Sequence, residues 1–298
     1  MKKPDVSLRA GEPLGAGLLR VAEDLIQSIA DPGEPRSNEP GEYVHTVRTT
    51  IKRLRALLRL IRPAIGEPFF DRENARLRRA GRRLAFARDA EVARETLKTL
   101  PVPGESEKKA VASALAGLAG KAGPSEDIIE ALREVRQDLE QTKRNLQRLQ
   151  LAKSEWEAIE TGLQDVYRQS RKRMSTALQE GDDEAFHKWR IRVKNLYYEL
   201  QLLEPVWPKR LDKMTSRLSK LQDKIGLDHD IAVLKGLLRK TPEKFGGRKT
   251  VERVISRLDN ESQKLRHAAE PLSEKIFDKK PRRFVRKLGR HWNKWRTA

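Results

Sequence analysis

The chain repeats itself. Residues 45–60 align with residues 187–202 at an offset of 142, and six of the sixteen positions are identical. The following stretch recurs at an offset of 141, where Leu84–Val92 aligns with Ile225–Val233. A period this long exceeds the roughly 20–50 residues of a solenoid unit, so it marks a duplicated domain. Any fold for this chain must therefore be built twice within its 298 residues. That length suits about two domains of ~150 residues, each large enough to bury a core.

The apolar pattern has a helical period almost throughout, rich in Leu, Ala, Glu, Lys, Arg and Gln and without β-branched alternation. It predicts helices near 14–30, 41–62, 68–99, 106–120, 125–149, 152–179, 183–204, 208–239, 247–269 and 271–278. Pro and Gly mark the breaks at 31–35, 39–41, 63, 101–104, 123–124, 205–208 and 241–242. Gly181-Asp182-Asp183 ends one helix and caps the next. Long amphipathic helices with short connections imply an all-α protein of helical bundles. The duplication divides it into residues 1–150 and 151–278, followed by a basic helix or tail at 279–298.

Charge narrows the function. Lys and Arg number 63 against 43 Asp and Glu, a net of +20, with aromatics at 5% and no Cys. Thiolate chemistry, disulfides and Cys-held metals are excluded. The longest apolar-looking run, Ala110–Gly120, is too short for a membrane span, and no apolar signal core follows Met-Lys-Lys. The excess is local. Residues 45–100 carry 15 basic and 6 acidic groups, and residues 279–298 carry 9 basic groups and no acid. Localised positive charge is the footprint of a polyanion partner.

On a helical wheel His45, Arg48, Lys52, Arg55, Arg59 and Arg62 share one side, and Val44, Val47, Ile51, Leu54, Leu58 and Ile61 share the other. The second copy keeps His187, Arg190 and Lys194, then fades through Tyr197, Gln201 and Glu204. In the next helix Arg72, Arg76, Arg79 and Arg83 fall on one face, and their equivalents Lys213, Arg217, Lys220 and Lys224 are all basic too. Like charges at i,i+4 destabilise a helix by a few tenths of a kcal/mol per pair. A stripe that tolerates this twice is explained by a polyanion ligand, or by acids on neighbouring helices.

With these residues in place the chain resembles the CHAD family, the conserved-histidine α-helical domain. The resemblance rests on His45-x2-Arg48-x3-Lys52-Arg53-Leu54-Arg55, its copy His187-x2-Arg190-x3-Lys194, and Arg88-Asp89-x2-Val92. The copy His229-Asp230-x2-Val233 departs by replacing the Arg. The resemblance covers nearly the whole chain. It implies two antiparallel four-helix bundles related by a pseudo-twofold axis, with basic residues lining a cavity or groove between them. It also implies non-enzymatic binding of inorganic polyphosphate, in some members on polyphosphate granules, and so a cytoplasmic location. Some members carry a CYTH triphosphatase domain, which does not fit in this chain.

The expected polyphosphate-binding set is His45, Arg48, Lys52, Arg55, Arg59, Arg72, Arg76, Arg79, Arg83, His187, Arg190, Lys194, Lys213, Arg217, Lys220 and Lys224. Polyphosphate has about one charge per phosphate and no bases, so it needs many donors and no stacking platform; Arg supplies a fork and Lys a point charge. For His45 and His187 three readings stand: phosphate donor, helix packing, or metal ligand, the last weakest because no second His lies at i+3 or i+4. Asp89 and Asp230 fit ion pairs that hold basic side chains. The run Asp228-His229-Asp230 suggests a metal, but the first copy has no equivalent. No catalytic residues, metal or cofactor are expected: there is no Walker-type loop, and no acidic pair recurs on the cationic faces. The rivals are a nucleic-acid-binding protein using the same stripes and the basic tail, a phosphate-chain enzyme, and a scaffold for an acidic protein. At 279–298 basic residues interleave with Phe284, Trp292 and Trp295, which fits a helix docking its aromatics on the second bundle.

Overall fold

The computed structural model describes residues 4–29, 40–84, 95–99, 105–117, 126–151 and 155–297. Eleven α-helices are bounded within them: α1 (Leu14–Gln27), α2 (Pro40–Leu60), α3 (Arg62–Ile65), α4 (Glu67–Arg83), α5 (Glu105–Gly117), α6 (Glu126–Gln147), α7 (Glu155–Glu180), α8 (Asp183–Leu202), α9 (Pro208–Lys240), α10 (Arg248–Ile276) and α11 (Pro281–Arg296). No strand occurs among the described residues.

Packing follows the apolar stripes. Helices α1, α2, α4 and α6 each touch two of the others and close on one another. In the second half α7 packs on α8, α8 on α9, α9 on α10, and α11 returns to α7. Helix α2 also lies on α8 and α7, so the two halves share an interface. The backbones approach closely at Gly162 of α7, where a Cβ would sit 2.0 Å from the Leu60 carbonyl oxygen of α2. Only a glycine admits that contact. The turn into α8 also forms as the sequence expects. Gly181 takes φ +70°, and the Asp182 carboxylate accepts from the Ala185 amide at 2.7 Å.

Three placements differ from the sequence pattern or extend it. First, α10 runs unbroken through Pro271, where a break was expected. Pro271 is exposed, so the carbonyl it fails to bond can meet water, while Ala269, Ser273 and Ile276 stay on the buried face and hold the helix in line. Second, residues 95–99 and α5 belong to the first half by position but pack on the second. Leu97 and Val111 join Ile231, Leu234, Leu238, Val251, Val254 and Leu258 in a separate small core. Third, α11 is docked rather than free. Phe284 stacks on Tyr167 at 4.8 Å between ring centroids, and Trp292 meets Trp156 at 5.8 Å. Phe284, Val285, Leu288 and Trp292 are buried, each apolar side chain contributing about 1.5–3 kcal/mol on burial. Arg296 ties this helix to the N-terminal segment through the carbonyls of Ala10 and Glu12.

Candidate functional site

The side of α2 predicted to be dry is dry: Val44, Val47, Ile51, Leu54, Leu58 and Ile61 are all buried. The opposite side is tied to α4 by hydrogen bonds. An Arg48 Nη1 donates to the Gly81 carbonyl at 3.0 Å, and Arg55 Nε donates to Asn74 Oδ1 at 2.9 Å. These bonds hold Arg55 beside Arg78 and Arg82. Burial, then repulsion from those two guanidiniums, pushes the Arg55 pKa down. Arg78, Arg79 and Arg82 are exposed. Among the described residues none of Arg55, Arg78, Arg79 and Arg82 forms an ion pair. A half-buried cation repelled by two others, with no carboxylate among the described residues paired to them, is an electrostatic deficit that an anion would fill.

The rest of α4 looks the other way. Arg83 pairs with Asp138 of α6 at 2.6 Å and also with Glu134. Arg76 reaches Glu73 at 3.3 Å and Asp138 at 3.8 Å. Arg72 reaches Glu73 at 3.3 Å and lies over the Phe69 ring. Glu73 is fully buried and accepts from Thr142 at 3.1 Å and Asn145 at 2.8 Å. The apolar stripe of α4, carrying Phe70, Leu77 and Ala80, thus has a cationic flank on each side. Arg76 and Arg83 face the acids of α6, Arg72 beside them pairs with Glu73 of α4 itself, and Arg78 and Arg82 face Arg55. Comparing the two copies selects the first flank, because it recurs. The second flank has Ser219 and Asp223 as its repeat equivalents and is missed. The i,i+4 pair Arg78/Arg82, opposite the chosen stripe, was the available signal.

In the second half, Lys213 and Lys220 are exposed, Lys224 is half-buried, and Arg217 donates to the Lys275 carbonyl at 3.4 Å. His187 lies against His229, with Nδ1 to Nδ1 at 3.1 Å. Burial first and Arg190 second depress the His187 pKa. Burial, then Arg190, His187 and Lys194, push that of His229 down to about 3, against a smaller opposing pull from Asp183. Both imidazoles are therefore neutral near pH 7, and one Nδ1–H donates to the other ring. His187, Arg190 and Lys194 are thus brought to one place with His229. The repeat equivalent of His229 is Arg88, which lies outside the described residues with Asp89 and Val92. His45 is exposed, and Lys52 is half-buried.

The run Asp228-His229-Asp230 splits its roles. Asp228 is buried and accepts from Arg266 Nε at 2.9 Å and from Ser262. Asp183 binds Arg266 as well, and Lys235 at 3.1 Å. This network clamps α8, α9 and α10 together. Among the described residues no group of three His, Asp or Glu side chains could hold a metal ion.

Where the halves meet, Arg59 of α2 interacts with Glu199 of α8. Burial pushes the Arg59 pKa down to about 10, with Glu199 opposing and Arg55, Arg192 and Arg62 adding to the fall. Glu199 is buried and its pKa is raised by that burial, while Arg59 and Arg192 pull it back. Arg192 is itself depressed by burial and by Arg173 of α7. Arg173, Arg192 and Glu199 were not among the residues the sequence singled out. At residue 57 the first copy has Leu where the second has Glu199, so comparing the copies hides it.

The family model for the CHAD domain matches residues 21–239. Among solved structures the chain is similar to the crystal structure of the CHAD domain from the plant Ricinus communis. The TM-score is 0.61 at 17% identity, covering 91% of this chain and 95% of that one. No curated protein matches. No helix among the described residues is long and apolar enough to cross a membrane.

Proposed function

The chain belongs to the CHAD domain family, and we propose that it binds inorganic polyphosphate, without turning it over, along a basic groove centred on Arg55, Arg59, Arg78 and Arg82. The observation that carries this reading is the Arg55–Arg78–Arg82 cluster, in which two guanidiniums repel a third and none is ion-paired among the described residues. Each phosphate that docks there relieves the repulsion and accepts a forked pair of hydrogen bonds. His45, Arg48 and Lys52 continue the track along α2, Arg79 stands at its α4 margin, and His187, Arg190 and Lys194 continue it along α8. Lys213, Lys220 and Lys224 form its outer border in the second half. Arg76 and Arg83 are engaged by Asp138 and Glu134, so they buttress the α4–α6 side instead of meeting ligand. Arg72 and Arg217 serve the same way, against Glu73 and the Lys275 carbonyl.

Binding without catalysis fits a track of cations on which no carboxylate pair recurs to hold Mg²⁺. A cytoplasmic place on polyphosphate granules follows from the same reading. The test is titration of the full chain with long-chain polyphosphate and with single-stranded RNA, at matched phosphate concentration and rising salt. Polyphosphate is expected to bind more tightly at every salt. Tighter binding of RNA at physiological salt would overturn the assignment.

A further inference from the structure

Helix α11 carries cations of a different kind. Arg282, Arg283, Arg286, Lys287, Arg290 and Lys294 are all exposed. On a helical wheel they fall in one arc, opposite the buried Phe284, Val285, Leu288 and Trp292. None of the six forms an ion pair among the described residues, and residues 279–298 contain no acid. Apart from the α4 cluster, many exposed cations on other helices are answered locally, as in Arg133–Glu130, Arg168–Asp165, Lys188–Glu184 and Lys264–Glu261. The helix is also rigid, because its apolar side is fixed on α7 by the Tyr167–Phe284 and Trp156–Trp292 contacts. Arg282, Arg286, Arg290 and Lys294 therefore form a fixed row, spaced about 6 Å apart and about 18 Å long.

We propose that the outer face of α11 is a second polyanion site, separate from the α2–α4 cluster, which takes the phosphodiester backbone of a nucleic acid without reading its bases. Spacing favours that occupant. A phosphodiester strand has a sugar between successive charges, whereas polyphosphate has a charge on every phosphorus and needs the crowded cations seen around Arg55. The six positions hold only cations, which contact phosphate and not base edges, and the aromatic at their margin, Trp207, is already stacked on His291 and covered by Lys287. A lipid surface fits less well. An amphipathic helix binds lipid by burying its apolar side, and that side of α11 is already covered by α7. This site does not depend on the polyphosphate reading.

The experiment compares three full-length proteins: wild type, Arg286→Glu/Arg290→Glu, and Arg78→Glu/Arg82→Glu. Each is titrated with single-stranded RNA, with single-stranded DNA of equal length, with long-chain polyphosphate and with anionic phospholipid vesicles. The α11 variant is expected to lose more than tenfold in affinity for RNA and DNA alike, and less than twofold for polyphosphate. Its thermal melt should match wild type, since both reversals relieve like-charge repulsion on an exposed face. Wild-type nucleic-acid affinity in the α11 variant would overturn the proposal. So would an equal loss for polyphosphate, a wild type that prefers vesicles, or a wild type that binds no nucleic acid at physiological salt. If the α4 variant keeps full polyphosphate affinity, the polyphosphate reading fails and the α11 site stands.

Discussion

Arg59 of α2 and Glu199 of α8 interact across the boundary between the two halves, and Glu199 is shut off from solvent. Neither Glu199 carboxylate oxygen has a hydrogen-bond donor among the described residues. Burying a carboxylate without donors disfavours its charge, and two nearby guanidiniums only partly restore it. A carboxyl with a raised folded pKa binds more protons folded than unfolded. Its stabilising effect is therefore complete below the ordinary glutamate range and shrinks as pH rises through the shifted value. The wild type should lose thermal stability over that window, and Glu199→Gln should flatten this part of the profile. Melting curves at stepped pH check it; identical slopes in both proteins would contradict it.

The histidine pair has the opposite sign. His187 and His229 have depressed folded pKa values, so the unfolded chain binds more protons below about 6.5. Their contribution to stability is present above that value and is lost as pH falls toward about 3, the value of His229. His229→Gln should remove part of this acid sensitivity. Polyphosphate beside Arg190 and Lys194 should raise both imidazole pKa values, which NMR titration of the ring protons with and without ligand reads directly.

Substitutions on the two flanks of α4 should separate binding from stability. Arg82→Ala removes a cation that only repels Arg55, so the melt should stay level or rise slightly while polyphosphate affinity falls severalfold. Arg83→Ala breaks the pairs with Asp138 and Glu134, partly exposed, and should cost up to about 1 kcal/mol with little change in affinity. Paired urea melts and polyphosphate titrations check both. The reverse pattern would restore the flank that recurs in both copies as the ligand face.

These flanks also show how far the sequence could be read. Helical periodicity placed nearly every helix, because apolar residues such as Ile51, Leu54 and Leu58 leave only one side to bury. Pro271 misled because one lost hydrogen bond at an exposed position is small beside the packing of Ala269 and Ile276. The packing of Leu97 and Val111 on α9 and α10 was invisible, since an apolar stripe does not name its partner. In the candidate site, recurrence singled out His187, Arg190 and Lys194, which the structure gathers around His229. It could not reveal Arg78, Arg82 and Glu199, whose counterparts are Ser219, Asp223 and Leu57.

Two core positions should be intolerant. Gly162→Ala puts a methyl group into the Leu60 carbonyl, forcing α7 and α2 apart at a cost of about 1–3 kcal/mol, as overpacking does. Trp292→Ala should cost about 3–5 kcal/mol, because α11 is part of the folded unit. Urea denaturation gives both values. A Trp292→Ala protein as stable as wild type would show that α11 contributes nothing to the fold.

The central claim is that Arg78 and Arg82 meet phosphate directly. The most direct measurement is the salt dependence of polyphosphate affinity in wild type and in Arg78→Ala/Arg82→Ala. If each arginine releases counterions as it does on nucleic acids, the slope of log affinity against log salt should become shallower by about 1.4–1.8. The affinity itself should fall at least tenfold at low salt. An unchanged slope with unchanged affinity would contradict the account and move the ligand away from the α2–α4 cluster.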